Sequence, residues 1–195
     1  MMRRLLYVDC CIRGRASRTR QLGEAFLAAL PADWSVSRLE LMREDLRCLQ
    51  GEFFEARQSL LQRGLRNHPR FRYAWQFAQA DGIVIAAPFW DLSFPALLKV
   101  YVENVSVEGI TFGCDAHGCY GICRAQRLGL ITTRGGCYAH SPLEMGSRYL
   151  EALSHFFGIG GYDCVAADGL DAQDADPVAV LADACRRAAE LARTF

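Results

Sequence analysis

The sequence has no excess of charge of either sign, because its 195 residues include 22 lysines and arginines and 22 aspartates and glutamates. A protein that binds nucleic acid needs a basic surplus to neutralise phosphates, so this balance predicts no nucleic-acid partner. An electron carrier that is steered to its partners by a strong field of one sign is disfavoured for the same reason.

The chain also lacks a long apolar run. None approaches the ~20 residues that a membrane-spanning helix needs, so no membrane partner is expected. The basic opening that starts at Met1 is followed by only about four apolar residues before Asp9, fewer than the ~7–15 of a signal-peptide core. We interpret this opening as the first strand and expect a cytoplasmic protein.

Linkers, internal repeats and low-complexity tracts are missing too. With 51% hydrophobic residues, the chain has the composition of a globular protein, and we expect residues 1–195 to form a single domain. The 9 cysteines are an odd number without a secretion signal, which favours free thiols in a reducing compartment.

Three of those cysteines, Cys114, Cys119 and Cys123, enclose His117 and raise the alternative of a zinc or iron–sulfur site. Their spacing matches no common template and no fourth ligand is evident, so we expect no metal. Cys137 follows a glycine pair, where a redox thiol is possible. A small buried residue is the favoured interpretation.

What the sequence does contain is an alternation of apolar runs and helical patterns. Five segments are predicted as strands, namely residues 5–8, 34–41, 82–87, 128–132 and 164–167. Ser17 or Thr19 is expected to cap the first helix, and Ser93 the helix after the third strand. Residues 45–80 lean towards helix and are broken at Pro69, and residues 110–123 suggest a small hairpin.

This alternation predicts an α/β fold, a doubly wound five-stranded parallel sheet with helices on both faces. Five strands favour the flavodoxin-like order 2-1-3-4-5, in which ligands bind at the carboxyl ends of the strands near the switch point. Three loops should meet there, and each has an ordinary structural alternative.

The first of these loops places Ser17, Arg18 and Thr19 at a helix N-terminus, which suits a phosphate, although capping hydroxyls start many helices. The second loop, 88–92, places two aromatic residues and a carboxylate at the end of a strand. It could flank a flat ring or merely pack under a helix. The third loop contains Gly135 and Gly136, which let a ligand approach the backbone or form a plain turn. Neither a Walker loop nor a dinucleotide fingerprint is present.

Taken together, these motifs resemble the FMN-dependent NADH azoreductases and related NAD(P)H:quinone oxidoreductases of flavodoxin-like fold. The resemblance rests on the strand 83–88 with its aromatic pair, on 132–136 (Thr-Thr-Arg-Gly-Gly), and on 10–19. It implies FMN bound by residues of all three loops: Cys10, Ser17, Arg18 and Thr19; Pro88, Phe89, Trp90, Asp91 and Leu92; and Thr133, Arg134, Gly135 and Gly136.

The resemblance further implies a homodimer that passes two electrons from NADH or NADPH through FMN to a quinone or azo compound by a ping-pong mechanism. No catalytic side chain is expected, because hydride chemistry belongs to the flavin. Trp90-Asp91 and Cys10 depart from the family's Tyr-Asn and serine. Arg134 would stabilise reduced flavin or form a surface salt bridge. A flavodoxin-type carrier and a flavin-free regulatory domain are the alternatives.

Overall fold

The computed structural model describes residues 2–195. Met1, the first residue of the predicted domain and of its opening segment, lies outside them. The strands are β1 Arg3–Asp9, β2 Trp34–Glu40, β3 Gly82–Ala86, β4 Phe112–Asp115, β5 Gly118–Gly121, β6 Arg127–Thr133 and β7 Gly161–Ala167. The α-helices are α1 Arg18–Ala29, α2 Gly51–Gln62, α3 Arg72–Ala78, α4 Ala96–Val105, α5 Gly146–Phe156 and α6 Pro177–Thr194.

Five strands form one parallel sheet in the order β2-β1-β3-β6-β7, and the predicted α/β sheet with helices is confirmed. The predicted order 2-1-3-4-5 counted five strands only. The chain also has an antiparallel hairpin, β4 and β5, between β3 and β6, so the last two strands of the sheet are β6 and β7. Every residue of β3 is buried, as expected for a parallel strand covered on both faces.

Two core clusters lie on opposite faces of the sheet, because successive side chains of a strand point to opposite sides. On β1, Leu5 and Tyr7 belong to the cluster beneath α1 and α6, which contains Phe26. Leu6 belongs to the other cluster, beneath α3, α4 and α5, which contains Tyr101. The helices therefore hold the sheet from both sides and leave the carboxyl ends of its strands open.

Three predicted details are wrong. Cys137, for which a small buried residue was the favoured interpretation, is exposed. Ser93 does not cap a helix, because α4 begins at Ala96 with Pro95 as its N-cap, while Ser93 closes a turn with Trp90. Cys114 and Cys119 are not free thiols, since they face each other across the hairpin and form a disulfide. Their sulfurs are bonded to each other, which takes them out of the candidate metal site.

No helix within residues 2–195 is both long enough and apolar enough to cross a membrane. The same range holds no group of three or more histidine, cysteine, aspartate or glutamate side chains arranged to hold a metal ion.

Candidate functional site

The three predicted loops meet in a cavity of about 410 Å³ at the carboxyl ends of β1, β3 and β6. This is the switch point of the sheet, where the chain turns to opposite faces on leaving β1 and β3. The cavity is lined by Arg13, Ser17, Arg18, Thr19, Pro88, Phe89, Trp90, Thr133, Gly135 and Asp171. Most of the predicted site residues are therefore brought together, and Arg13 and Asp171 join them.

The polar end of the cavity consists of Ser17, Arg18, Thr19, Thr133 and Asp171. Ser17 is the N-cap of α1, as predicted, and its Oγ accepts a hydrogen bond from the backbone N–H of Arg20 at 3.3 Å. The hydroxyl proton of Ser17 remains free to donate. The first N–H groups of α1 and the helix dipole also favour an anion here.

The hydroxyl groups of Thr19 and Thr133 are hydrogen-bonded to each other, with 2.6 Å between their oxygens. Both residues are buried, and their bond ties the first turn of α1 to the end of β6. Only one of the two hydroxyls can donate to the other, so one proton of the pair is left for a ligand.

Arg18 spans the polar end to reach Asp171, a residue that the sequence analysis missed. Its Nη1 and Nη2 donate to the two carboxylate oxygens at 2.8 and 3.1 Å. This donation is the main reason that the pKa of Asp171 lies below its ordinary value. The only signal for Asp171 in the sequence is its position just after the fifth predicted strand, which is β7, at the edge where the other loops meet.

The aromatic end of the cavity consists of Pro88, Phe89 and Trp90. The backbone N–H of Phe89 donates to the carbonyl of Thr133 at 3.1 Å, which holds this loop against β6. The Phe89 ring packs on Tyr138, with 4.7 Å between ring centroids, while the Trp90 side chain is 43% exposed. One ring is thus fixed by its neighbours and the other is open to solvent.

A tight turn removes two predicted residues from the cavity. Trp90 and Ser93 exchange two backbone hydrogen bonds of 3.2 and 2.8 Å. Between them Asp91 and Leu92 have φ of 49° and 66°, the left-handed geometry of a type I′ turn. Both side chains are exposed and neither lines the cavity. For Asp91, a role at the flavin edge remains a prediction that this placement does not favour.

Arg134 lies behind the cavity rather than in its lining. Its side chain is buried, with Glu144 at 3.2 Å and Asp168 at 3.4 Å from its terminal nitrogens. Its guanidinium carbon is also 5.6 Å from the centroid of the Phe89 ring. Asp168 additionally accepts the backbone N–H of Tyr138 at 2.9 Å. The ion-pair interpretation of Arg134 therefore fits, but the pair is buried and supports the loop behind Phe89.

Cys10 and Gly136 are the other predicted residues outside the lining. Cys10 is fully buried in the core cluster that contains Leu98, and this burial raises the pKa of its thiol to about 12. A neutral thiol in the core is a poor partner for a phosphate. Gly136 is exposed beside the ring of Tyr138, one residue beyond the lining.

A wider groove of about 850 Å³ lies elsewhere, at the edge strand β7 between α5 and α6. Its charged groups are largely paired. Arg187 bonds Asp183 at 2.8 Å and the carbonyl of Ala166 at 2.7 Å, and Arg134 is held by two acids. Size alone does not make it a site, and the smaller cavity has the more specific chemistry.

The groups around the smaller cavity fit a phosphorylated flat ring. Hydroxyls, a helix N-terminus and two arginines line one side, and two aromatic rings line the other. The volume falls in the range of about 300–1,000 Å³ that is typical of sites for small ligands. FMN has this combination of a phosphate and a flat ring, so the residues present fit that cofactor.

Comparisons with known proteins agree with this geometry. A family model described as flavodoxin-like fold matches residues 3–191. An FMN-dependent NADH:quinone oxidoreductase of Clostridium beijerinckii is 34% identical, over 100% of both chains. A second such protein, from Clostridium perfringens, is 36% identical with the same coverage. The solved structure of an azoreductase from Bacillus anthracis is 26% identical and covers 100% of both chains, with a TM-score of 0.85.

Proposed function

We propose that this protein is an FMN-dependent NAD(P)H oxidoreductase. The chain belongs to the FMN-dependent NADH:quinone oxidoreductase and azoreductase family of flavodoxin-like fold. Its acceptor is a quinone, an azo compound or a similar aromatic molecule. One observation carries this proposal: a single cavity at the switch point joins an anion-binding end to an aromatic end. FMN, when bound, supplies the hydride chemistry, and the protein binds and orients it.

Each end of the cavity has its own task. At the polar end, Ser17, the Thr19–Thr133 pair and the N-terminus of α1 hold the phosphate. At the aromatic end, Pro88, Phe89 and Trp90 border the ring. The backbone at Gly135 supports this proposal from the third loop, because it lines the cavity with no side chain between. None of these groups needs to exchange a proton with a substrate.

We extend the proposal to a ping-pong order and to a cytoplasmic homodimer. Large apolar side chains are exposed on Trp90 (43%), which lines the cavity, and next to it on Leu92 (37%) and Met145 (50%). Met145 N–H donates to the Leu92 carbonyl at 3.0 Å, which holds the two loops together. Apolar surface of this kind supports an interface beside the cavity. Sedimentation should give a dimer, and a monomer at micromolar concentration would refute this part.

The test of the function is anaerobic mixing of the FMN-loaded protein with NADH and with NADPH. Rapid loss of the absorbance of oxidised flavin, followed by its recovery on adding a benzoquinone or an azo dye, is expected. A coloured protein that is inert to both nucleotides and accumulates a semiquinone would instead be a flavodoxin-type carrier. A colourless protein that refuses added FMN would be a flavin-free domain. Either result would overturn the proposal.

A further inference from the structure

Within residues 2–195, Asp171 is the one acidic side chain in the lining of the cavity. It is paired with Arg18, the cation that we expect to bind the phosphate. Arg18 gives both of its terminal nitrogens to the Asp171 carboxylate, at 2.8 and 3.1 Å. The fork of an arginine fits a carboxylate and a phosphate with the same bidentate geometry. Asp171 and a phosphate therefore require the same group.

The position of Asp171 is fixed by the backbone and not by the ion pair alone. Its N–H donates to the carbonyl of Gly135 at 2.8 Å, and the N–H of Leu170 donates to the carbonyl of Arg134 at 3.1 Å. Space for the carboxylate depends on Gly135, because a Cβ there would lie 2.5 Å from Oδ2 of Asp171. The loop after β7 thus holds a carboxylate at the rim of the polar end.

The charges at this end show what the carboxylate does. Two cations, Arg13 and Arg18, and one anion, Asp171, line the cavity. When a phosphate arrives, Arg18 either stays with Asp171 or leaves it for the phosphate. In the first case the phosphate loses a bidentate partner, and in the second Asp171 is left without its bidentate partner as a negative charge near the phosphate. Both cases weaken phosphate binding.

We propose that Asp171 sets how strongly the cavity prefers phosphorylated over unphosphorylated flavin, by competing with the phosphate for Arg18. This inference rests on the proposed function, since it concerns the same cavity and cofactor. Asp171 makes FMN bind less tightly than the donors of the polar end allow, and it has no effect on a flavin that lacks the phosphate.

The experiment measures the dissociation constants of FMN and riboflavin for the wild type, Asp171→Asn and Asp171→Ser by quenching of flavin fluorescence. Riboflavin carries the same ring without the phosphate. Removing the carboxylate should tighten FMN binding by about three- to tenfold at low salt and leave riboflavin unchanged. The gain should shrink at 0.5 M salt, because the charges near the surface are screened.

Asp174→Asn is the matched control, because Asp174 is an exposed acid of the same loop that does not line the cavity. It removes the same charge from the protein and should leave both dissociation constants unchanged. Thermal unfolding of each variant checks that the exposed substitutions leave the fold intact.

Two outcomes would overturn the inference. If both Asp171 variants leave the ratio of the two dissociation constants unchanged, Asp171 does not compete with the phosphate. If they weaken FMN binding, Asp171 instead orients Arg18 towards the phosphate. In either case the proposed function stands, because the wild type still binds FMN. A wild type that binds neither flavin removes the proposed function and this inference together.

Discussion

The polar and aromatic ends of the cavity differ in how their backbone is held. At the polar end Ser17 caps the first turn of α1, a buried hydroxyl pair connects α1 to β6, and a bidentate ion pair connects α1 to the loop after β7. At the aromatic end Phe89 is packed, but the chain then enters a turn with two left-handed residues and an exposed indole. The first end is preorganised, and the second can adapt.

Under the proposed function, this difference separates two tasks. A phosphate is the same group whatever is reduced, and rigid donors bind it at the least entropic cost. Aromatic acceptors vary in shape, and an exposed ring on a turn can accommodate them. Changes at the polar end should therefore affect FMN and spare riboflavin, whereas changes at the aromatic end should affect both flavins alike.

The largest effect is expected from Ser17→Ala combined with Thr19→Val, which removes two hydroxyls of the polar end. Hydrogen bonds to a charged group contribute about 1.5–3 kcal/mol each, so FMN binding should weaken about a hundredfold or more. Riboflavin binding should change little. Fluorescence titration measures both constants.

The control for that double variant is Ser35→Ala. The Ser35 hydroxyl on β2 donates to the carbonyl of Arg3 on β1, far from the cavity. Its flavin affinities should match the wild type. Equal weakening of FMN and riboflavin in the double variant would mean that the two hydroxyls shape the cavity and do not bind the phosphate.

A smaller loss, of stability, is expected from Asp9→Asn at the base of the first loop. Asp9 is fully buried, and burial raises its pKa, but hydrogen bonds from Arg38 at 2.8 Å and from the backbone of Cys11 outweigh burial, so its pKa lies below the ordinary value. Removing the charge weakens the bond from Arg38, which keeps Glu24 at 2.7 Å, and should cost about 1.5–3 kcal/mol in the free energy of unfolding.

The pH dependence follows from the direction of that pKa. The ionised carboxylate stabilises the fold above the unfolded pKa of about 3.9, and this contribution is lost as the pH falls through the lower folded pKa. The free energies of unfolding in urea should therefore differ between Asp9→Asn and the wild type at pH 7 and become equal in acid.

Asp33→Asn is the control, because Asp33 forms an exposed ion pair with Arg3. This substitution should change the free energy of unfolding little. A constant difference at all pH values would show that Asp9 acts by packing.

At the aromatic end, Trp90→Ala should weaken FMN and riboflavin by the same factor. A ring contact contributes about 0.5–1.5 kcal/mol, which corresponds to a factor of about two to ten. Tyr120→Ala, an exposed aromatic on the hairpin outside the cavity, is the matched control. A variant at Trp90 that lowers FMN affinity alone would contradict the division between the two ends.

The smallest effect is a gain. Leu92 has a φ of 66°, a left-handed conformation that glycine adopts without the steric penalty of a Cβ. Leu92→Gly should raise the free energy of unfolding by about 0.5 kcal/mol, once the greater entropy of glycine in the unfolded chain is set against the relieved strain. Leu143→Gly, an exposed leucine without a positive φ, should instead destabilise. Thermal unfolding compares the two, and a loss of stability in Leu92→Gly would mean that this turn is not strained.

The sequence was most informative where a signal is local. The buried runs of β3 and β6 are continuous and apolar, and Ser17 is followed by a clear helix, so these elements could be predicted. β7 begins at Gly161, three residues before the predicted start at 164. The prediction missed these residues because β7 is an edge strand whose first residues are partly exposed and lack an apolar run.

The misses depend on contacts that local patterns do not reveal. The bond between Cys114 and Cys119 follows from hairpin register, and Ser93 is used by a turn that only the backbone shows. Cys10 and Cys11 point to opposite sides just after β1, and both sides are core there, so neither side chain reaches the cavity. Asp171 was missed because one aspartate in an aspartate-rich loop looks like any other until Arg18 is placed beside it.

The most direct test is the ratio of the dissociation constants of riboflavin and FMN for the wild-type protein. The donors of the polar end act on FMN alone, so we expect FMN to bind about a hundredfold more tightly than riboflavin, even with Asp171 in place. Equal affinities would show that no phosphate is bound at the polar end and would contradict the assignment of this cavity to FMN.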